Sequence, residues 1–342
     1  MSERVLTARA LNRALLARQL LLERADLSIE AALEQVGGLQ AQYAPSMYVG
    51  LWTRLRSFER ESLTRALEAG TVVQATLMRS TIHLVTRREF WRFEAGGHRA
   101  RQAAVARIRT APGPAELEAA SERLRVALAD GPRSVAELDG LAAGFIGNLG
   151  LWVPLVRVPP SATWARRRAD RLALADRWVG PCDATEAEGL AQLVQSYLRG
   201  FGPAPWRDIA AWAGIPVADA RRGGESVDLV RYRDEAGAEL VDLPGAPLPE
   251  PGTPAPARFL PHWDNSLLAH ARRTGLVPEA IRPQIFNSKN PFSVGCVMVD
   301  GRVIGAWGYR DRRVVVDWFE PIGAADAAAV EQERLALEAF HA

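Results

Sequence analysis

The sequence predicts a mainly α chain with β-ribbons, an α+β protein of three tandem winged helix-turn-helix units followed by a C-terminal β-rich unit. Three observations carry that expectation. A helix, Gly-Pro, helix pattern occurs twice, with Leu124 to Leu138 around Gly131-Pro132 aligning with Gln195 to Ile209 around Gly202-Pro203. Each copy is followed by alternating segments, Trp152–Val158 with Arg171–Val179 and Val227–Tyr232 with Glu239–Leu243, and helix, tight turn, helix, ribbon is the plan of a winged helix. Closely spaced prolines from Pro244 to Pro256 then read as a semi-rigid linker ahead of a tail of different character.

The elements follow in chain order. Thr7 to Leu22 has leucines at helical spacing, Ser28 caps a helix Ile29 to Val36, and Gly37-Gly38 breaks it. Pro45-Ser46 opens a third helix through Leu55, and Val73 to Val85, rich in β-branched residues, supplies the first ribbon. Ser134 and Glu137 have capping-box spacing. Pro205 suits a first helical turn, Gly214 ends that helix and Pro216 opens another. In the tail, Pro291–Val299, the Asp300-Gly301 turn, Val303–Tyr309 and Arg313–Phe319 form a three-strand meander, closed by an acidic helix from Ala324 to Phe340. The expected boundaries are 1–112 for the first unit, 113–181 for the second, 182–244 for the third, 245–256 for the linker and 257–342 for the C-terminal unit.

With 342 residues, 48% hydrophobic and 24% charged, the composition is that of a globular chain too long for one ordinary core. Two cysteines far apart exclude a disulfide framework and a Cys-rich zinc site, and both read as ordinary buried residues. The start lacks an apolar signal region, and the longest uncharged run, Gly140 to Val156, is interrupted by four glycines, Asn148 and Pro154, so no membrane span is expected. A cytoplasmic, nucleoid-associated monomer is the expectation. Nearly all the basic residues are arginine, and Lys289 is the single lysine.

Arginines gather at Arg87, Arg88 and Arg92, at Arg99, Arg101, Arg107 and Arg109, and at Arg166-Arg167-Arg168 beside Trp164 in the second ribbon. Each cluster alone reads as a solvated face. Attached to repeated winged-helix plans, the three together read as phosphate contacts, since guanidinium groups bind phosphate oxygens bidentately. Gly38-Leu39-Gln40-Ala41-Gln42-Tyr43-Ala44-Pro45 is the most unusual polar stretch. Its glutamines serve either as capping and solvent contacts or as one site, and two residues at i and i+2 share a site only where the backbone is extended or irregular. His83 is either a structural histidine or a contact to the displaced strand, and Asp264 either caps a helix Asn265 to Arg273 or binds water. His262 and His270 near Asp264 suggest a metal, but no third ligand stands at helical spacing, so neither metal nor cofactor is expected.

An ordered set of segments resembles the AlkZ/YcaQ family of winged-helix DNA glycosylases: Gly38 to Gln42, Thr76 to Val85, Ser161 to Arg168, Leu260 to His270, and Val299 to Val303. The resemblance implies three winged helices around a concave DNA channel, and an active-site signature of glutamine, apolar residue, then glutamine or aspartate. Gln42 places the chain with the AlkZ-like branch, associated with self-resistance or repair of bulky alkylation and crosslinks. Gln40 and Gln42 are then the catalytic pair, and Arg79, His83, Arg87, Arg88, Arg99, Arg101, Trp164 and Arg166 to Arg168 are the expected contacts to double-stranded DNA.

The chemistry agrees with the residue types. An amide is no base, so two glutamines can only orient water and direct carbonyl oxygens toward positive charge developing at C1′. That help suffices for a leaving group that is already cationic, such as an N7-alkylated purine, while a neutral base such as uracil is expected to be a poor substrate. Lys289, in the polar turn Asn287 to Pro291, is expected to stay protonated and exposed, which argues against a Schiff-base lyase step. A non-catalytic winged-helix transcription regulator is the alternative, because fold does not fix function.

Overall fold

The computed structural model describes residues 4–108, 112–141, 150–270, 275–286 and 294–342. Val5–Leu6 forms β1 and Ala8–Arg18 forms α1, whose cap, Thr7, accepts from the Ala10 amide. Ser28 does the same for α2 (Ile29–Val36), and Gly37 ends that helix at φ 75°. There follow β2 (Leu39–Gln40), α3 (Ala44–Trp52), α4 (Arg60–Glu68), β3 (Val72–Thr76), β4 (Ile82–Thr86) and the long α5 (Arg87–Val105). Thus α3 stops short of the expected Leu55, and Leu55 instead sits in a turn that pairs with Ala25.

The second unit contributes α6 (Pro114–Ala127), β5 (Arg133–Ser134), α7 (Val135–Asp139) with the full Ser134–Glu137 capping box, β6 (Leu155–Arg157) and β7 (Arg171–Leu174). The strand expected to run to Val179 ends at Leu174 and becomes a short helix, Ala175–Trp178. The Ala175 amide makes the last rung of the ladder, to Pro154 O, and the Ala-Asp-Arg sequence has none of the β-branching that would sustain it further. The third unit is α8 (Glu186–Phe201), α9 (Trp206–Ala213), α10 (Val217–Gly224), β8 (Val230–Asp234) and β9 (Glu239–Asp242). Pro205 and Pro216 stand just before their helices, as extended caps rather than in the first turn.

The C-terminal unit holds β10 (Arg258–Leu260), a short helix Asn265–Leu268, β11 (Gly295–Val299), β12 (Arg302–Arg310), β13 (Arg313–Trp318) and α11 (Ala324–His341). Its sheet therefore has four strands, in the order β10-β11-β12-β13, where three were expected. The extra strand, β10, is only Arg258–Leu260, too brief for a periodicity to show. Of the cysteines, Cys296 is buried as expected, whereas Cys182 is exposed in the turn ahead of α8.

Two sheet connections set the architecture. The first two units share one six-stranded sheet, β2-β4-β3-β6-β7-β5, with β3 pairing antiparallel to β6 through Gln74↔Arg157 and Ala75↔Val156. At the other end, β1 adds in parallel to β8, so the first residues of the chain complete the third unit's hairpin. Between them the proline-rich segment is laced to α1. Arg18 donates to Pro247 O, Arg13 to Thr253 O and Arg9 to Pro251 O. Arg18 is fully buried, yet its charge is met bidentately by Asp242 at 2.6 and 2.8 Å, as a buried ion must be. No helix among the described residues is long and apolar enough to cross a membrane.

Helices α5 and α8 cross in backbone contact at Gly96 and Gly189. A Cβ on Gly189 would lie 2.2 Å from Gly96 N, and one on Gly96 would lie 2.5 Å from Gly189 O. Rigid backbone cannot yield as a side-chain end can, so Gly189→Ala is expected to force the helices apart and destabilise the protein by roughly 1–3 kcal/mol. Thermal unfolding of that variant beside Gly113→Ala, where a Cβ meets nothing within 4 Å, checks this. Equal melting temperatures would show the crossing to be adaptable.

Candidate active site at the glutamine motif

Gln40 sits on the edge strand of the six-stranded sheet and Gln42 in the bend just after it. Leu39 and Gln40 pair with Leu84 and His83, and the Ala41 amide continues the ladder to Ile82 O at 2.8 Å. The backbone is thus extended as far as Ala41 and irregular at Gln42, the kind of backbone that i and i+2 residues need to share a site. Both amides are anchored on one short segment: Gln40 Oε1 accepts from Arg79 Nη2 at 2.9 Å, and Gln42 Oε1 accepts from the Ile82 amide at 3.0 Å. Because both partners are donors, the atoms facing them are the carbonyl oxygens, and each keeps a second lone pair. Gln40 is buried and Gln42 exposed.

The anchoring segment is itself constrained. Arg79 and Ser80 lie in the left-handed region at φ 52° and 56°, a conformation costly for residues with side chains. Arg79 Nη1 reaches Trp212 O at 2.6 Å, and a Cβ at Gly214 would come within 2.7 Å of Arg79 N, so the third unit presses the turn into place. Beneath it, His83 is fully buried, and burial followed by the nearby Arg79 charge lowers its pKa to about 3. Its Nδ1 donates to Thr81 O at 3.0 Å, leaving Nε2 as the acceptor that faces Arg79 Nη2 at 3.4 Å. His83 therefore does not reach DNA directly, as had been expected; it is a neutral spacer that helps aim Arg79 at Gln40.

The outer edge of β2 is closed from the C-terminal unit. Asn265 Oδ1 accepts from the Gln40 amide at 3.1 Å and its Nδ2 donates to Gly38 O at 2.6 Å, doing for the edge what a neighbouring strand would do. Asn265 opens the short helix capped by Asp264, which accepts from the Ser266 amide. Asp264 is also fully buried against Arg54, with two contacts of 2.9 Å. Burial pushes its carboxyl up, but the Arg54 guanidinium and the Ser266 hydroxyl and amide outweigh it and hold the group below the ordinary carboxylate value. Asp264 is a cap and an ion-pair partner, buried with both oxygens bonded within the protein. Asn265 went unnoticed in the sequence because its role depends on a partner 225 positions away. The helix it opens is Asn265–Leu268, shorter than expected.

The arginine clusters separate. Arg166, Arg167 and Arg168 are exposed on the loop between β6 and β7, and Arg167 Nη1 donates to Tyr43 OH at 3.1 Å, beside Gln42. Ser161 holds that loop shut, accepting from the Asp170 and Arg171 amides and donating to Arg168 O. Trp164, expected to touch DNA, instead anchors the loop. It packs at 5.6 Å from Tyr48, 5.5 Å from Phe340 and 5.1 Å from His341, with Arg60 over its ring. Arg101 is likewise removed from the DNA-binding set: it is buried and paired with Glu94 at 2.5 Å. Arg99 is exposed but pairs with Asp219 at 3.0 Å and borders a different cleft, of 530 Å³, near Trp91 and Cys182. Arg87 and Arg88 are exposed at the start of α5, Arg88 in an ion pair with Glu34. Arg109 and Lys289 lie outside the described residues.

One further basic residue, missed in the sequence, borders the same cavity as Tyr43. Arg310 ends β12 at the turn into β13, where Asp311 and Arg312 are left-handed at φ 48° and 61°. Arg310 and Arg167 border one cavity of 390 Å³ that begins at Tyr43 and reaches His262, Trp307, Tyr309 and His341. Of the suggested metal ligands, His262 lies in this aromatic wall, with its pKa lowered by burial. His270 contacts Tyr197 OH at 3.1 Å and Asp208 at 3.3 Å. Among the described residues no three His, Cys, Asp or Glu side chains form a metal-ligating cluster.

Helix-and-ribbon units that hold a pair of amides from several parts of the chain, beside a loop of exposed arginines, have the features of a winged-helix enzyme directed at DNA. The chain belongs to the AlkZ-like DNA glycosylase family: the family model described as "DNA glycosylase AlkZ-like" matches residues 33–340. Its fold is similar to that of the Streptomyces sahachiroi DNA glycosylase AlkZ, with a TM-score of 0.81 and 18% sequence identity over 98% of this chain and 97% of that one. No curated protein matches the chain by sequence.

Two outcomes follow from this geometry. Asn265→Ala strands the Gln40 amide and Gly38 carbonyl and is expected to cost about 1–3 kcal/mol, read by denaturant unfolding; an unchanged midpoint would show that the edge closes without it. His83 takes a proton in the unfolded chain near its ordinary 6.5 but resists it when folded until about 3. Stability is therefore expected to fall as pH drops from about 6.5 toward 3. Melting temperatures measured across that window should decline less steeply for His83→Asn; parallel curves would place the dependence elsewhere.

Proposed function

We propose that the protein is a monofunctional DNA glycosylase that hydrolyses the N-glycosidic bond of cationic N7-alkylated purines, with bulky adducts and interstrand crosslinks in its range. It acts as a monomer on double-stranded DNA of the nucleoid, in the cytoplasm, without a cofactor. The observation that carries this reading is the pair of anchored amides, which bond to Arg79 and the Ile82 amide rather than to a carboxylate among the described residues, while Asp264, which approaches the motif, is buried and committed to Arg54. Such a site supplies dipoles and oriented water but no general acid or strong base.

A cationic purine needs no acid. As the C1′–N9 bond breaks, its electron pair moves onto the purine and cancels the positive charge that N7 alkylation placed there. The remaining lone pairs of Gln40 and Gln42 face the charge left on the sugar and orient a water, whose oxygen bonds to C1′ and whose proton passes to solvent. Arg166 to Arg168, with Arg87 and Arg88, hold phosphates on either side. Locking Gln40 through Arg79 and Asn265 keeps the dipoles in place before the lesion arrives, which is where such stabilisation gains its strength.

On a duplex carrying N7-methylguanine, the purified protein is expected to leave alkali-labile abasic sites, and Gln42→Ala to slow single-turnover release by about a hundredfold with little change in DNA affinity. Equal losses in rate and affinity would reduce the glutamines to DNA contacts. No base release, together with a defined palindromic footprint on undamaged DNA, would make the protein a regulator instead. The strand is expected to stay intact after base loss, and borohydride should trap no adduct; an adduct lost in Lys289→Ala would establish a lyase step. Affinity for undamaged duplex is expected to fall steeply between low and moderate salt.

A further inference from the structure

The cavity that begins beside Gln42 is walled by a continuous chain of rings. Tyr43 packs edge-on to His262 at 5.8 Å, His262 to Trp307 at 6.2 Å, Trp307 to His341 at 5.9 Å, and His341 stacks on Tyr309 at 4.3 Å with planes 18° apart. Two buried polar atoms in residues that line it, Ser46 Oγ and His341 Nε2, have no hydrogen-bond partner in the protein. Buried polar atoms are nearly always satisfied, so two unpaired ones in residues that border a cavity stand out as groups that a polar ligand would satisfy on reaching them. Burial, with the Arg167 and Arg60 charges adding to it, lowers the His341 pKa to about 4, and burial lowers that of His262, so both rings are neutral. Among the described residues, the charged side chains that border the space are the exposed Arg167 and Arg310.

We propose that this cavity receives the leaving purine together with its N7 substituent. This deepens the glycosylase reading and rests on it. Electron-rich ring faces attract a cationic planar base, and unpaired hydroxyl and imidazole groups meet the polar edge of a heterocycle. The arginines at the border suit the flanking phosphates, while the described residues that line the interior bring no cation there to repel the base. At 390 Å³ the space falls in the range that encloses a drug-sized ligand, so it has room for a base that carries a bulky group. Its walls come from three parts of the chain, α3, the β6–β7 loop and the C-terminal sheet and helix, which explains why no local sequence pattern discloses it.

The test compares single-turnover release of N7-methylguanine and N7-benzylguanine from otherwise identical duplexes by wild type, Tyr309→Ala and the near-isosteric Ser46→Ala. Loss of one ring contact is expected to slow benzyl-adduct release by about tenfold more than methyl-adduct release in Tyr309→Ala. Ser46→Ala is expected to slow both by severalfold, and affinity for undamaged duplex should be unchanged in each variant. Unaltered rates on both lesions, or losses that match a fall in DNA affinity, would overturn the assignment. If wild type releases neither base, the proposed reaction fails and the cavity is decided separately by calorimetric titration with free 7-benzylguanine. Heat of binding in wild type that is lost in Tyr309→Ala would uphold the pocket, and no binding would remove it.

Discussion

The Arg54–Asp264 ion pair is the constraint on which the site depends. Neither side chain touches solvent, and Arg54 also donates to Gly50 O and Gln19 Oε1, so the pair ties α3 and the segment after α1 to the C-terminal unit. Removing either partner would leave an uncompensated charge in the interior, which makes the contact nearly all-or-none. Asp264, fixed this way, turns the following residue toward β2, and Asn265 then closes the strand edge that carries Gln40. An interaction that is costly to bury thereby sets the register of the strand edge that carries the proposed catalytic amide.

The same logic runs through the opposite side of the motif. Arg79 adopts a backbone conformation that it would not keep alone, and it is retained because Trp212 O, Gln40 and the Gly214 backbone crowd it from different units. His83 contributes by staying neutral; a charged imidazole there would repel the guanidinium that it now receives. The amides of Gln40 and Gln42 are thus held by first-, third- and C-terminal-unit residues at once, consistent with preorganised dipoles rather than with side chains that adjust to a ligand.

What was legible in the sequence was local. Ser28 and Ser134 cap the helices that follow them, and Gly214 ends a helix, because those preferences are settled within a few residues. The Gln-Ala-Gln stretch stood out by composition, and the strand that ends at Gln40 agrees with the extended or irregular backbone that two amides at i and i+2 need to share a site. Arg99 and Arg101 were read as members of one cluster, although the helix itself contained the answer. Residues 99 and 101 are about 200° apart around an α-helix, whereas 94 and 101 share a face; Arg101 accordingly turns inward to Glu94 while Arg99 looks outward. Trp164 was misread for a different reason, since its partners, Tyr48 and Phe340, lie more than a hundred residues away on either side. The edge strands β2 and β10 are too short to announce themselves and exist only because long-range neighbours complete them.

The lacing of α1 to the proline-rich segment bears on how the molecule is made. Arg13 and Arg18 are buried in the folded protein, yet the groups that accept their hydrogen bonds, Thr253 O, Pro247 O and Asp242, are synthesised more than two hundred residues later. Until those emerge, the first helix has two charges that cannot be desolvated and must wait in water. Gln40 waits too, because Asn265 arrives 225 positions after it. High sequence separation of this kind slows folding, since loop closure must precede the contacts that reward it. A nascent chain already displays both glutamines while lacking the contacts that hold them, so the candidate site can assemble only after Asn265 has been made.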